Sequence, residues 1–221
     1  MPAPAAPTDH LGVDLGIVNL AADSDGATYS GDQVREVRER RFQHRRRLQL
    51  RNTRNAKRRL RTAKRREARC QRDTNHRISK TLVAKATRER KALVLEDLIG
   101  IRARATVVHR AQRRVRHRWA FFQLRTFIVY KAAQAGVPVL VVDPRNTSRT
   151  CACCGCCDQR NRQTQSRFSC ICCGHAPPAD VYAARSIAWK ARVAAMSPRY
   201  APKDTSQLRR VAQPEVQAHR L

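Results

Sequence analysis

The chain has 221 residues, with 46 Lys or Arg against 17 Asp or Glu and a formal net charge of +29. A compact protein of that charge repels itself unless a polyanion neutralises it, so the balance points to nucleic acid held through phosphate contacts. Nothing approaches the roughly 20 consecutive apolar residues of a membrane helix, and residues 1–8 lack the basic start and apolar run of a signal peptide. The expectation is a cytoplasmic, nucleic-acid-associated protein with no membrane span. In that reducing setting, nine cysteines suggest metal ligands before disulfides.

Residues 10–22 read as one strand, with Leu11, Val13, Leu15 and Ile17 alternating and Asp14 on the other face. Asp25-Gly26 predicts a hairpin turn into a short strand over 27–30. Residues 32–98 contain no Gly or Pro. Residues 33–50 and 56–72 predict two helices joined by a polar turn at 51–55. Between residues 35 and 77 there are 19 Lys/Arg against four acids and few apolar residues. Such a hairpin buries little and suits an arm lying along phosphates, with Arg45, Arg46, Arg47, Arg58 and Arg59 as candidate contacts.

Thr74 or Asn75 is positioned to cap a further helix over 76–90. Residues 92–96 predict a buried parallel strand ending in acids. The basic stretch 102–118 predicts a loop or helix. Residues 119–135 carry Phe121, Phe122, Leu124, Phe127, Ile128 and Ala132 at helical spacing, a core-packing stripe stopped by Gly136. Another buried strand is expected over 137–142, and an Ala-rich helix over 180–193. The tail, 197–221, shows no pattern and predicts poor order.

Between these last two elements, Cys151-Ala152-Cys153-Cys154-Gly155 is echoed by Cys170-Ile171-Cys172-Cys173-Gly174. Two thiolates three apart on a tight turn bite one ion, and glycine lets the turn close. Two such turns complete a tetrahedral four-sulfur zinc site, closed and therefore structural. The register is not unique, because Cys153 with Cys156 and Cys154 with Cys157 have the same spacing. Cys151, Cys154, Cys170 and Cys173 are preferred, since both pairs then precede glycine. That leaves Cys70, Cys153, Cys156, Cys157 and Cys172 without a function.

Acids are scarce, so their places matter. Asp14 lies in a strand, Glu96 and Asp97 end an apolar run, and Asp180 opens a helix. Three such carboxylates suit Mg²⁺ or Mn²⁺, which activate water and stabilise the leaving oxygen in phosphodiester cleavage. Gly12-Val13-Asp14-Leu15-Gly16-Ile17, Asn75-His76-Arg77-Ile78-Ser79-Lys80, Leu95-Glu96-Asp97-Leu98, Ser148-Arg149-Thr150-Cys151 and Asp180-Val181-Tyr182-Ala183-Ala184 together resemble TnpB proteins. These are transposon-encoded, RNA-guided DNA endonucleases related to type V CRISPR effectors.

The resemblance covers roughly residues 10–192. It implies an α/β, RNase H-like (RuvC-type) core in three parts, 10–32, 75–148 and 176–195. The core would be split by a basic helical hairpin at 33–74 and a zinc ribbon at 149–175 that binds target nucleic acid, with an N-terminal segment at 1–9 and a tail at 196–221. It assigns Asp14, Glu96 and Asp180 to catalytic Mg²⁺ or Mn²⁺, and Cys151, Cys154, Cys170 and Cys173 to zinc. DNA, with guide RNA, is the implied partner. Only 13 residues precede Asp14, so the resemblance also implies loss of an N-terminal half. Tyr182 and Pro178 stand where the family pattern has Asn and an acid; Tyr182 is expected either to disturb packing beside the metals or to mark a decaying copy. A remnant that only binds nucleic acid is the alternative reading.

Overall fold

The computed structural model describes residues 7–16, 18–51, 53–97, 121–164 and 166–196. The basic stretch 102–118, Trp119, Ala120 and the tail lie outside the described residues. Five strands, β1 (Asp9–Asp14), β2 (Asn19–Asp23), β3 (Thr28–Ser30), β4 (Lys91–Glu96) and β5 (Val139–Val142), form one sheet in the order β3-β2-β1-β4-β5. β1–β2 and β2–β3 are antiparallel, and β1–β4 and β4–β5 are parallel.

The single strand expected over 10–22 is in fact two. The chain doubles back after Asp14 so tightly that a Cβ on Gly16 would lie 2.6 Å from the Asn19 carbonyl oxygen. Alternating apolar residues run through this turn, so periodicity alone cannot find it. The Asp25-Gly26 turn is present, but it joins β2 to β3. The buried Asp23 carboxylate closes it by accepting from the Asp25 and Ala27 backbone N–H groups at 3.1 and 2.9 Å.

Four helices are described: α1 (Asp32–Arg51), α2 (Arg54–Arg88), α3 (Phe121–Gln134) and α4 (Ala179–Met196). The turn between α1 and α2 falls where composition placed it, and Thr53 caps α2 by accepting from the Ala56 N–H at 3.1 Å. The expected break at Thr74 or Asn75 is absent, and α2 runs unbroken for 35 residues, roughly 50 Å. Thr74 bonds back to the Cys70 carbonyl, while buried Asn75 donates to Gln123 of α3 at 2.9 Å. Thr74 is thus satisfied in mid-helix, whereas Asn75 pairs only through its Nδ2, its buried Oδ1 having no hydrogen-bond partner among the described residues.

The two halves of α2 differ in kind. Its buried residues after Ala56 begin only at Asn75 and recur as Ile78, Ser79, Leu82, Val83 and Ala86, a helical stripe against the sheet. The first half instead pairs with α1, with Leu48 and Ala56 buried and Arg45 ion-paired to Glu67.

Leu11 and Val13 of β1 and Leu93 and Leu95 of β4 share one core with α2 and with Leu124, Ile128 and Ala132 of α3. Phe122, expected in that stripe, is 74% exposed, because it lies two residues from Leu124 and so on the far side of the helix. β5 is half-buried, as befits an edge strand.

The opposite face of the sheet packs against α4 through Val94, Ile187 and Ala191. A Cβ on Gly12 would fall 2.0 Å from the Ala184 carbonyl oxygen, so only glycine admits this approach. Arg192, at the other end of α4, pairs with Asp9 at 2.7 Å. The helix therefore runs antiparallel to β1 and brings its first turn towards the Asp14 end.

Candidate metal centres

Strand alternation puts Gly12 and Asp14 on the α4 side of the sheet. Val13 pairs with Leu95 in parallel register, so Asp14 and Glu96 end neighbouring strands side by side. Glu96 shares its face with Val94, which packs on Ile187. Asp180 lies in the first turn of α4. The fold thus brings Asp14, Glu96 and Asp180 to one edge of the sheet. They do not close as tightly as the sulfurs below. Among the described residues, only cysteine groups bring three or more candidate ligand atoms within 4.8 Å of one another.

Each acid has its own support. The Thr147 hydroxyl donates to Glu96 Oε1 at 2.5 Å, and Asn19 Nδ2 donates to Asp180 Oδ2 at 2.8 Å. Burial, and then the charges of Glu96 and Asp180, push Asp14 up to about 7, although Arg162 opposes them. Burial also raises Glu96, against the Thr147 hydrogen bond and the Lys190 charge. A buried carboxylate pushed up by two neighbouring acids fits a divalent cation, which would offset their charges. Thr147 and Asn19 escaped the sequence reading. Their partners lie 51 and 161 residues away, and no local pattern encodes such pairs. Asp97 points into a different environment, 3.7 Å from Arg125 of α3.

In the cysteine segment the two knuckles repeat one geometry. The Gly155 N–H donates to the Cys151 carbonyl at 2.7 Å, and the Gly174 N–H to the Cys170 carbonyl at 2.9 Å. Both glycines have left-handed backbone, φ +74° and +72°. The Sγ atoms of Cys151 and Cys173, and of Cys154 and Cys170, lie 3.6 Å apart, and all four fall within 4.8 Å. A tetrahedral ion with Zn–S bonds of about 2.3 Å requires sulfurs about 3.8 Å apart, so the set fits zinc.

The thiols share protons unevenly. Burial would raise Cys151, but the Tyr182 hydroxyl and the Cys154 and Cys153 N–H groups bring it down to about 6. The His175 N–H favours the Cys173 thiolate, but burial and the neighbouring thiols outweigh it and push that group up to about 12. A cation among the four sulfurs would relieve this conflict.

Buried Asn161 ties the knuckles together. Its amide donates to the Arg149 and Cys156 carbonyls at 2.8 and 3.1 Å and accepts from the Ile171 N–H at 3.0 Å. The expectation of metal ligands before disulfides needs one correction, because Cys156 and Cys172 are joined as a disulfide. The two residues lie 16 apart, and only the closed ribbon brings them together.

Tyr182 is buried against the cysteine segment. It stacks on Phe168 of the ribbon, ring centroids 3.7 Å apart, and its hydroxyl accepts from the Ala152 N–H at 2.5 Å. One turn on, the buried Ser186 hydroxyl donates to the Thr150 carbonyl at 2.9 Å. Tyr182 thus fastens the ribbon to the helix that carries Asp180. Of the candidate arm residues, Arg46, Arg47, Arg58 and Arg59 are exposed, while Arg45 is engaged with Glu67. No helix among the described residues is long and apolar enough to cross a membrane.

Residues 121–187 match the family model described as Cas12f1-like, TNB domain. The chain is 39% identical over 116 residues to the CRISPR-associated endodeoxyribonuclease Cas12f1 of Sulfoacidibacillus thermotolerans, covering 52% of this chain and 26% of that protein. It is 40% identical over 91 residues to the TnpB-like protein MJ0751 of Methanocaldococcus jannaschii, covering 41% and 33%. It is 30% identical over 195 residues to InsQ of Escherichia coli K12, named as a candidate RNA-guided DNA endonuclease, covering 80% and 48%. The chain therefore spans about half or less of the length of these relatives. Its fold matches a chain in a cryo-EM structure of a Cas12f1–sgRNA–target DNA complex with a TM-score of 0.65 at 20% identity, over 85% of this chain and 50% of that one.

Proposed function

The chain belongs to the TnpB family, and from that premise we propose that it is a DNA-binding, RuvC-type endonuclease of the RNA-guided class. The observation that carries the reading is the meeting of Asp14, Glu96 and Asp180 at one sheet edge, where burial and then the charges of Glu96 and Asp180 push Asp14 up to about 7. In this reading the sheet is an RNase H-like core, interrupted by the basic hairpin and by the ribbon. Strand order and the antiparallel-then-parallel pairing support it.

Asp14, Glu96 and Asp180 would hold Mg²⁺ or Mn²⁺, which supplies an activated water and stabilises the leaving oxygen of a DNA phosphodiester. The protein's own contribution is orientation. Thr147 fixes one Glu96 oxygen, and Asn19 fixes one Asp180 oxygen. Gly12 lets α4 lie close enough to present Asp180 beside β1. Cys151, Cys154, Cys170 and Cys173 would hold a structural zinc that keeps the ribbon folded against Tyr182. Target DNA and guide RNA are the proposed partners. Arg46, Arg47, Arg58 and Arg59 would contact phosphates, with Arg45 bracing the hairpin.

Three measurements test this. Mn²⁺ should raise the melting temperature of the chain, and Asp14→Ala or Asp180→Ala should abolish the rise. Any single-strand or plasmid cleavage should disappear in Asp14→Ala, Glu96→Ala and Asp180→Ala. Cleavage that survives all three variants refutes the site. Binding without a metal response would leave a nucleic-acid-binding protein and no enzyme. Replacing Arg46, Arg47, Arg58 and Arg59 by Gln should flatten the log–log salt dependence of duplex binding by about 0.9 per lost contact. An unmoved slope puts the contacts elsewhere.

A further inference from the structure

Eight of the nine cysteines lie between residues 151 and 173, and the four-sulfur site uses four of them. Of the rest, Cys153 and Cys157 are exposed and stand apart, whereas Cys156 and Cys172 converge. The sulfurs of Cys156, Cys170 and Cys172 all lie within 4.8 Å of one another. Cys170 thus belongs to two sulfur clusters at once, and it is buried between them.

The backbone explains the convergence. Cys156 closes the first knuckle, its carbonyl accepting from the Cys151 N–H at 2.8 Å. Cys172 lies within the second knuckle, beside Ile171. Asn161 grips the Cys156 carbonyl and the Ile171 N–H with one buried amide, which sets the two cysteines face to face. The same amide that aligns the first site therefore builds the second cluster.

We propose that in the reduced chain Cys156, Cys170 and Cys172 form a second site for a thiophilic cation of the zinc class, with the Cys170 thiolate bridging it to the first ion. Thiolate sulfur is a soft donor with lone pairs for two metals, and soft donors select such ions. Three thiolates leave the fourth tetrahedral position to solvent. The Cys156–Cys172 disulfide is the oxidised form of the same pair. A phosphine reductant attacks one sulfur and breaks the S–S bond. Water then converts the phosphine to its oxide, and both sulfurs end as thiols. The two thiols give up their protons when the cation binds. The ribbon thus holds one ion when oxidised and two when reduced.

This inference rests on the four-cysteine zinc reading above, and native mass spectrometry separates the two. The full chain is reduced with a phosphine, loaded with excess zinc and desalted. Two zinc ions per chain are expected, falling to one after reoxidation, with the chain then lighter by two hydrogens. Cys156→Ser and Cys172→Ser should each hold one zinc whatever the redox state. In the reduced, zinc-loaded wild type, Cys156 and Cys172 should resist alkylation, a readout that needs no variant to fold. A single zinc with both cysteines open to alkylation overturns the second site and leaves the first standing. Two ions retained in Cys172→Ser also overturn it, because the second ion then lies elsewhere. No zinc at all overturns both.

Discussion

The cysteine ribbon and the carboxylate edge each gather side chains of metal-ligand type, but by different routes. In the ribbon, the ligands of each pair are three residues apart on a turn that closes through its own hydrogen bonds, Gly155 to Cys151 and Gly174 to Cys170. At the sheet edge, each acid comes from a different element, and a hydrophobic core sets their separation. The ribbon has a small core of its own, centred on Cys151, Phe168, Cys170 and Tyr182. The sheet edge rests on a larger one that spans β1, β4, α2 and α3. If both hold the proposed ions, a centre of the first kind would depend on its ion for folding, while one of the second kind would be built by packing and strained by its own charges.

If that contrast is right, zinc removal should have the largest effect and a confined one. Chelation, or Cys154→Ser, should withdraw metal-linked folding energy on the order of 10 kcal/mol from the ribbon. Limited proteolysis should then cut within 149–175, while the sheet and its helices keep their far-UV dichroism and their melting transition. Simultaneous loss of both would break the distinction.

The carboxylate edge should respond to pH instead. Asp14 titrates at about 7 in the folded chain, above its unfolded value of about 3.9. The folded state therefore keeps a proton that the unfolded state has lost. Its contribution to stability is complete below about pH 4 and is lost as pH rises through 7. Relative to Asp14→Asn, the metal-free wild type should lose up to roughly 4 kcal/mol between pH 4 and pH 8. Mn²⁺ at pH 8 should restore the wild type and leave Asp14→Asn unchanged. Denaturant titrations across that range measure the difference, and parallel curves for the two proteins would remove the charge conflict from the account.

Gly12→Ala sharpens the packing half of the comparison. The added methyl would meet the Ala184 carbonyl oxygen at 2.0 Å and the Ala188 nitrogen at 2.7 Å, both backbone atoms. A cost of about 3 kcal/mol is expected from such overpacking. Displacing α4 also moves Asp180, so the Mn²⁺-induced melting shift should shrink while zinc content stays the same. A variant as stable as wild type would mean that α4 does not rest on β1.

These differences track what could be read before the structure. The convergence of Cys151, Cys154, Cys170 and Cys173 was legible because a repeated Cys-x-x-Cys-Gly encodes a turn within five residues. The acids were legible only as a set, through family resemblance. Thr147 beneath Glu96 and Asn19 beside Asp180 carried no signal at all. The first strand was read too long because Leu15 continues the alternation past Asp14 into a turn. Helix α2 was read as two because Thr74 and Asn75 are residue types that cap helices, and their mid-helix partners, the Cys70 carbonyl and Gln123, are invisible to a local pattern.

By itself, the sequence determined the basic charge, the two knuckles and the apolar strands and helices, because each follows from composition or from spacing within a few residues. Only the tertiary structure decided which face of α4 meets β1, how Asp14, Glu96 and Asp180 converge, and that Tyr182 serves the ribbon. It also decided that Cys156 and Cys172 meet beside Cys170. Local periodicity dictates where a side chain points, but packing between distant segments dictates what it finds there.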